Sequence, residues 1–138
     1  MIRKGKGAIQ LEIRTHALAK KKLLGTPLRI VSGEVAEVEL TATEEMAVDN
    51  KGLIHGGFTF SLGDYAAMLA VNHPNVVLGG SECRFLAPVK IGDTMIASAV
   101  VGEIKGRRRS VSVDVRVGDV KVFTGSFSCF ILDQHVLD

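Results

Sequence analysis

His55-Gly56-Gly57 stands immediately before a long apolar stretch that holds one charged residue, Asp64. Two glycines opening a helix leave backbone N–H groups unblocked by side chains, and such groups bind an anionic oxygen. That is the arrangement needed to hold the oxyanion formed when a carbonyl is attacked. A carboxylate inside an apolar helix costs several kcal/mol unless it is paired, solvated in a cleft or required for chemistry. Asp64 fits either a general base that activates water or a nucleophile that attacks the carbonyl itself. His55 and Asp64 are nine positions apart, which at roughly 100° per residue sets them half a helical turn from each other. One protomer is poorly arranged to aim both at one substrate, whereas a site between two protomers can combine them. The bland alternatives are a His55 that only braces the loop and an Asp64 that is a structural acid paired at an interface.

The elements around these residues follow from hydropathy pattern. Gly56 to Val71 is too long for a strand, rich in helix formers from Ala66 to Ala70, and apolar nearly all round, so a helix buried on most sides and ending before Pro74 is expected. Gly63, Ala67 and Ala70 share one face and admit close approach of another element. Leu28 to Thr43 alternates as a strand. Four more strands are expected over about 76–87, 94–104, 109–117 and 120–132, with turns at Gly106 to Arg108 and at Gly118-Asp119. The apolar parity of the last strand changes along its length, and a bulge is expected near Gly125. Residues 1–26 read as an appended extension, in which Ile9, Ile13, Ala17 and Leu18 followed by three lysines predict a short amphipathic helix stopped by Gly25 and Pro27; residues 27–138 read as the domain proper. The fold class is α+β, with a long central helix wrapped by a curved antiparallel sheet of about five strands. A helix apolar on so many sides, together with open sheet edges, calls for a second subunit.

A chain of 138 residues with 46% apolar content suits one domain with a real core. No apolar run is long enough for a membrane span, and no signal-peptide core follows the N-terminus, so a cytoplasmic location is expected. A net charge of +2, no Trp and one Tyr offer little to nucleic acid. Cys83 and Cys129 have no metal-ligand spacing and read as small buried hydrophobes, so no metal site is expected. His16, His73 and His135 read as surface residues. The turn at Lys105, Arg107, Arg108 and Arg109 is either a solvated hairpin tip or a receiver of phosphates.

His55-Gly56-Gly57 with Leu62 and Asp64 behind it, then Arg84-Phe85-Leu86-Ala87-Pro88-Val89-Lys90-Ile91-Gly92-Asp93, resembles hotdog-fold thioesterases of the phenylacetate-degradation type over about Leu28 to Leu132. The resemblance implies two units joined through a continuous sheet, as a dimer or a dimer of dimers, with acyl-coenzyme A bound at the subunit interface and no cofactor beyond the coenzyme A of the substrate. It implies a Gly57 backbone donor to the thioester oxygen, a His55 that orders the loop and positions the thioester, and an Asp64 contributed across the interface. Gly56, Asp49, Asn50, Arg108 and Arg109 are the accompanying candidates for substrate binding. Related enzymes often carry Asn six residues before the histidine to help hold the attacking water; here Asp49 occupies that position and Asn50 follows it. The rival reading is a non-catalytic hotdog module that senses acyl-CoA or an acyl carrier protein. A hotdog dehydratase ranks lowest.

Overall fold

The structure is a computed structural model and describes residues 11–138. The apolar stretch forms one helix, α2, Gly56–Val71, following a single turn, α1, Lys21–Leu24. His55 caps the start of α2 from an extended conformation, with its side chain accepting a hydrogen bond from the Gly57 N–H. Asn72 ends the helix in the left-handed region, φ 52° and ψ 45°, and Pro74 prevents its continuation. From Tyr65 to Val71 every residue is buried. Leu62, Met68 and Leu69 are essentially fully enclosed, each worth about 2 kcal/mol of burial. The expected close approach is found at Gly63, where an added Cβ would lie 3.3 Å from the Phe123 ring and 3.4 Å from Val113.

Six strands wrap this helix: β1, Thr26–Val31; β2, Val35–Thr41; β3, Val76–Phe85; β4, Thr94–Lys105; β5, Arg108–Val117; and β6, Val120–Ile131. They form one antiparallel sheet in the order β1-β2-β4-β5-β6-β3. This is the expected hotdog arrangement with one strand more than the sequence pattern gave. The run read as a single strand folds back on itself at Ser32-Gly33-Glu34, where Gly33 adopts φ +79°. The bulge of β6 also lies elsewhere than expected. Gly125 pairs in register, and the extra residue is Val122, between the Val115–Phe123 and Arg116–Lys121 pairs. Val122 and Phe123 are consecutive and both buried, which a regular pleat forbids and a bulge permits.

Less of the N-terminal segment is helical than its pattern predicts. Only α1 forms; Ile9 lies outside the described residues, and Leu11 to Lys20 are not helical, with His16 at φ 55°. What organises this segment is the side chain of Asn72. Its Oδ1 accepts the Arg14 N–H at 2.9 Å, and its Nδ2 donates to Glu12 O and Ser32 Oγ, both at 2.7 Å. Asn72 is 1% exposed, so removing its amide breaks three partly shielded hydrogen bonds. Asn72→Ala is expected to cost about 2–4 kcal/mol, from lost hydrogen bonds and an alanine forced into the left-handed region. Urea unfolding measures the loss, and hydrogen exchange should show the Arg14 amide opening first. Among the described residues, no helix is long and apolar enough to cross a membrane.

Candidate active site

The loop before α2 is fixed from several directions. His55 N–H donates to Met46 O at 3.0 Å and Ile54 N–H to Val89 O at 2.9 Å, while Leu53 bridges to Lys90. The Lys90-Ile91-Gly92-Asp93 turn is itself locked, with Asp93 Oδ2 accepting the Lys90 N–H at 3.0 Å and Gly92 at φ +91°. Its Gly92 N–H reaches Ala42 O, and its Asp93 O accepts from Ala42 N. This segment therefore clamps the His55 loop to the end of β2. Asp49 has a local task in the same loop: its Oδ1 accepts N–H bonds from Lys51 at 3.0 Å and Leu53 at 3.1 Å. Asn50 beside it is exposed.

At the start of α2 the Gly57 N–H is already engaged, donating to His55 Nδ1 at 2.8 Å. With Nδ1 as acceptor, a neutral His55 ring carries its proton on Nε2. Gly56 is differently placed. It lines a cleft of about 360 Å³ together with Ile54, Thr59, Val122 and the segment Phe85 to Val89. Its N–H has no acceptor among the described residues. A Cβ at Gly56 would stand 3.2 Å from the Phe85 ring, so the glycine lets that ring lie over the helix start. The cleft is largely apolar, with backbone amides at one end, the usual composition of a small-molecule site. The Val122 carbonyl anchors its wall by accepting from Leu86 N at 2.8 Å and Ala87 N at 3.3 Å.

Asp64 sits two helical turns further along α2, away from this cleft in the same protomer. Its Oδ1 is buried without a hydrogen-bond partner among the described residues. Burial pushes its carboxyl up from 3.8 to about 6. It neighbours Cys129, whose thiol is pushed up to about 12 by burial and then by the Asp64 charge. Cys129 in turn pairs with Leu78 of β3. A raised carboxyl in an apolar setting is suited to accept a proton near neutral pH.

The basic hairpin divides. Arg108 is committed locally, to Ser128 Oγ at 3.1 Å and to Glu103 at 3.8 Å, whereas Arg107 pairs with Asp133. Arg109 lines, with His73, two shallow recesses at the far end of α2. Cys129 is buried as expected, but Cys83 only partly so. Among the described residues, no group of three or more His, Cys, Asp or Glu is arranged to hold a metal. Pattern reading of the sequence had missed the cleft wall of Phe85 to Val89 as a wall, Thr59 and Val122. The quoted Phe-x-x-Pro segment and a lone Thr in the apolar helix were the available signals.

Residues 51–124, just over half of the chain and including His55, Asp64 and the cleft wall, match the thioesterase superfamily. The chain belongs to that superfamily. Among solved structures, this thioesterase-superfamily chain is similar to an uncharacterized protein from Pyrococcus horikoshii, with 52% identity, TM-score 0.91, and coverage of 95% of this chain and 100% of that one. It also resembles the phenylacetic acid degradation protein PaaI from Thermus thermophilus, at 26% identity and TM-score 0.73, covering 81% of this chain and 97% of the other. Curated relatives carry different names. A methylthioribose-1-phosphate isomerase from Aquifex aeolicus is 50% identical over 90% of this chain and 27% of its own length. The transcription factor FapR from Thermoanaerobacter is 28% identical over 78% of this chain and 58% of its own. The chain thus spans between about a quarter and three fifths of these curated relatives.

Proposed function

We propose that the protein is a dimeric acyl-CoA thioesterase of the PaaI-like type, using Asp64 of one protomer against a thioester bound at the Gly56 cleft of its partner. The observation that carries this reading is the buried, unpartnered Asp64 carboxylate with its raised pKa. The strand geometry supports the assignment across subunits. β3 is a ten-residue edge strand whose middle, Gly79 to Glu82, is exposed. Such an edge pairs readily with a second copy. Antiparallel pairing over its full length sets Leu78, the strand partner of Cys129 on whose thiol the Asp64 charge acts, opposite the partner's Cys83, two residues before the ring that covers Gly56.

In this mechanism Asp64 takes a proton from water, and the resulting hydroxide adds to the thioester carbonyl. The Gly56 N–H receives the oxyanion directly, and the Gly57 N–H joins it once released by His55 Nδ1. Collapse of the tetrahedral intermediate breaks the C–S bond, and the Asp64 proton goes to the departing coenzyme A sulfur. No cofactor is required. Arg108 and Arg109 are held within the hairpin, by Ser128 and Glu103 and by the Gly106 carbonyl, and Asp49 acts by holding the loop.

A second reading rests on the likeness to FapR and on the engaged Gly57 donor: a module that binds acyl-CoA without cleaving it. Free-thiol release from short, medium, branched and aromatic acyl-CoAs separates the two. Turnover of any member supports the enzyme, and binding without release supports the sensor.

The subunit arrangement has its own test. Gly80→Lys combined with Ser81→Lys brings four lysines together at the two-fold axis, where like charges oppose strand pairing. Light scattering should show a monomer in place of a dimer, with thiol release reduced about 100-fold or more as the catalytic carboxylate is withdrawn. A variant that becomes monomeric yet fully active would overturn the shared site.

A further inference from the structure

A second recess, of about 550 Å³, lies beyond the other end of α2. Its floor is apolar, from Val76, Val77 and Leu78 of β3, and its rim is formed by Arg14, His16 and His135. Among the described residues, no carboxylate lines it. His135 Nδ1 accepts the Leu137 N–H at 3.0 Å, and His16 Nδ1 is joined to Thr15 Oγ1 at 2.8 Å, so each ring has Nε2 left for a ligand. The Arg14 side chain makes no salt bridge to a described residue. The segment that carries Arg14 and His16 is held in place through its backbone by Asn72.

The β3 pairing gives this recess a role. With Val76 opposite the partner's Phe85, the recess of one protomer adjoins the Gly56 cleft of the other, and Asp64, on the Leu78 side, stands between them. The two spaces then form one elongated site, with backbone amides at one end and Arg14, His16 and His135 at the other. We infer that the recess receives the far end of the acyl group and that the protein prefers acyl thioesters whose distal end is a carboxylate, held by Arg14 with the two histidines. Arg14, His16 and His135 are exposed at the rim, where charge-assisted hydrogen bonds favour a carboxylate and a methyl terminus gains nothing from them. The inference rests on the dimeric thioesterase reading and adds a substrate class to it.

The test compares two acyl-CoAs of equal chain length, one ending in methyl and one in carboxylate, on the wild type and on Arg14→Gln. The variant spares the segment around Arg14 because Asn72 holds the Arg14 backbone rather than its side chain. The wild type should favour the carboxylate in kcat/KM, and Arg14→Gln should lower that value roughly tenfold or more while moving the methyl substrate less than about twofold. Equal losses on both substrates, or no loss on either, overturn the inference. Because the phosphates of coenzyme A are also anionic, the pair is repeated as pantetheine thioesters. A loss that persists there supports a carboxylate in the recess, and one that disappears assigns Arg14 to the phosphates and overturns it. If the wild type is dimeric but releases no thiol, hydrolysis is what has failed. Calorimetric titration with the same two acyl-CoAs then decides the recess: tighter, Arg14-dependent binding of the carboxylated one supports it, and equal affinity overturns it.

Discussion

Asp64→Asn is expected to lower kcat for thiol release about 100-fold or more, the contribution typical of a positioned base, while the dimer stays intact. Wild-type activity should rise as pH passes through about 6, where the buried carboxyl loses its proton, and level off above it. The Asn variant should lack that limb. The same shift fixes the sign of a stability effect. Burial raises the folded-state value from 3.8 to about 6, so between those limits the folded protein holds the proton more often than the unfolded chain. The stability this provides is complete below about pH 4 and is lost as pH rises through 6. At pH 8 wild type carries the cost of a buried charge that the neutral amide avoids. Asp64→Asn should therefore be more stable than wild type by on the order of 1–2 kcal/mol at pH 8, a value already reduced for partial solvent access, and unchanged near pH 4. Urea unfolding at the two pH values reads this directly. A variant that loses both activity and stability at pH 8 would mark Asp64 as a structural acid paired at the interface. Capture of an acyl-enzyme with hydroxylamine would show it to be a nucleophile rather than a base.

Phe123→Ala carries the largest expected cost in stability, about 3–5 kcal/mol. The ring is fully buried and stands at the centre of an aromatic cluster, 5.2 Å from Phe85, 6.4 Å from Phe60 and 6.3 Å from Phe127 between centroids. It also fills the space left by Gly63, so its loss opens a cavity between α2 and the sheet. Phe85 is 56% exposed and leans on Phe123; without that support it should no longer lie steadily over Gly56. KM should rise more than kcat falls, because the cleft wall loosens while the Asp64 carboxylate keeps its place. Phe123→Leu, which refills part of the cavity, should recover much of both effects.

The helix was legible because its signals are strong and local: a long apolar run, helix formers from Ala66 to Ala70, and Pro74 just beyond its end. The strands β4 to β6 were legible from alternation. The first hairpin was not, because Ser32-Gly33-Glu34 sits between two segments of the same alternating character and only the positive φ at Gly33 reveals the reversal. The change of apolar parity in the last strand signals a bulge but not its place, which packing decides: Val122 is drawn to the cleft and Phe123 to the core. Leu11 to Lys20 had helical periodicity but too short a run to stand alone, and the hydrogen bonds offered by Asn72, distant in sequence, outweigh it. At the site, residue types and order pointed to His55, the glycines and Asp64. That Gly56 rather than Gly57 holds the free amide depends on a rotamer of His55, and no spacing encodes a rotamer.

The Val122 bulge also bears on how such a protein changes its specificity. Leu86 and Ala87 are tied to the sheet through one carbonyl that has stepped out of the ladder. Side chains at 86–88 can therefore be exchanged without shifting the register of β6 or disturbing Phe123 beneath it. The core beneath the curved sheet and the lining of the cleft are in this sense separate modules.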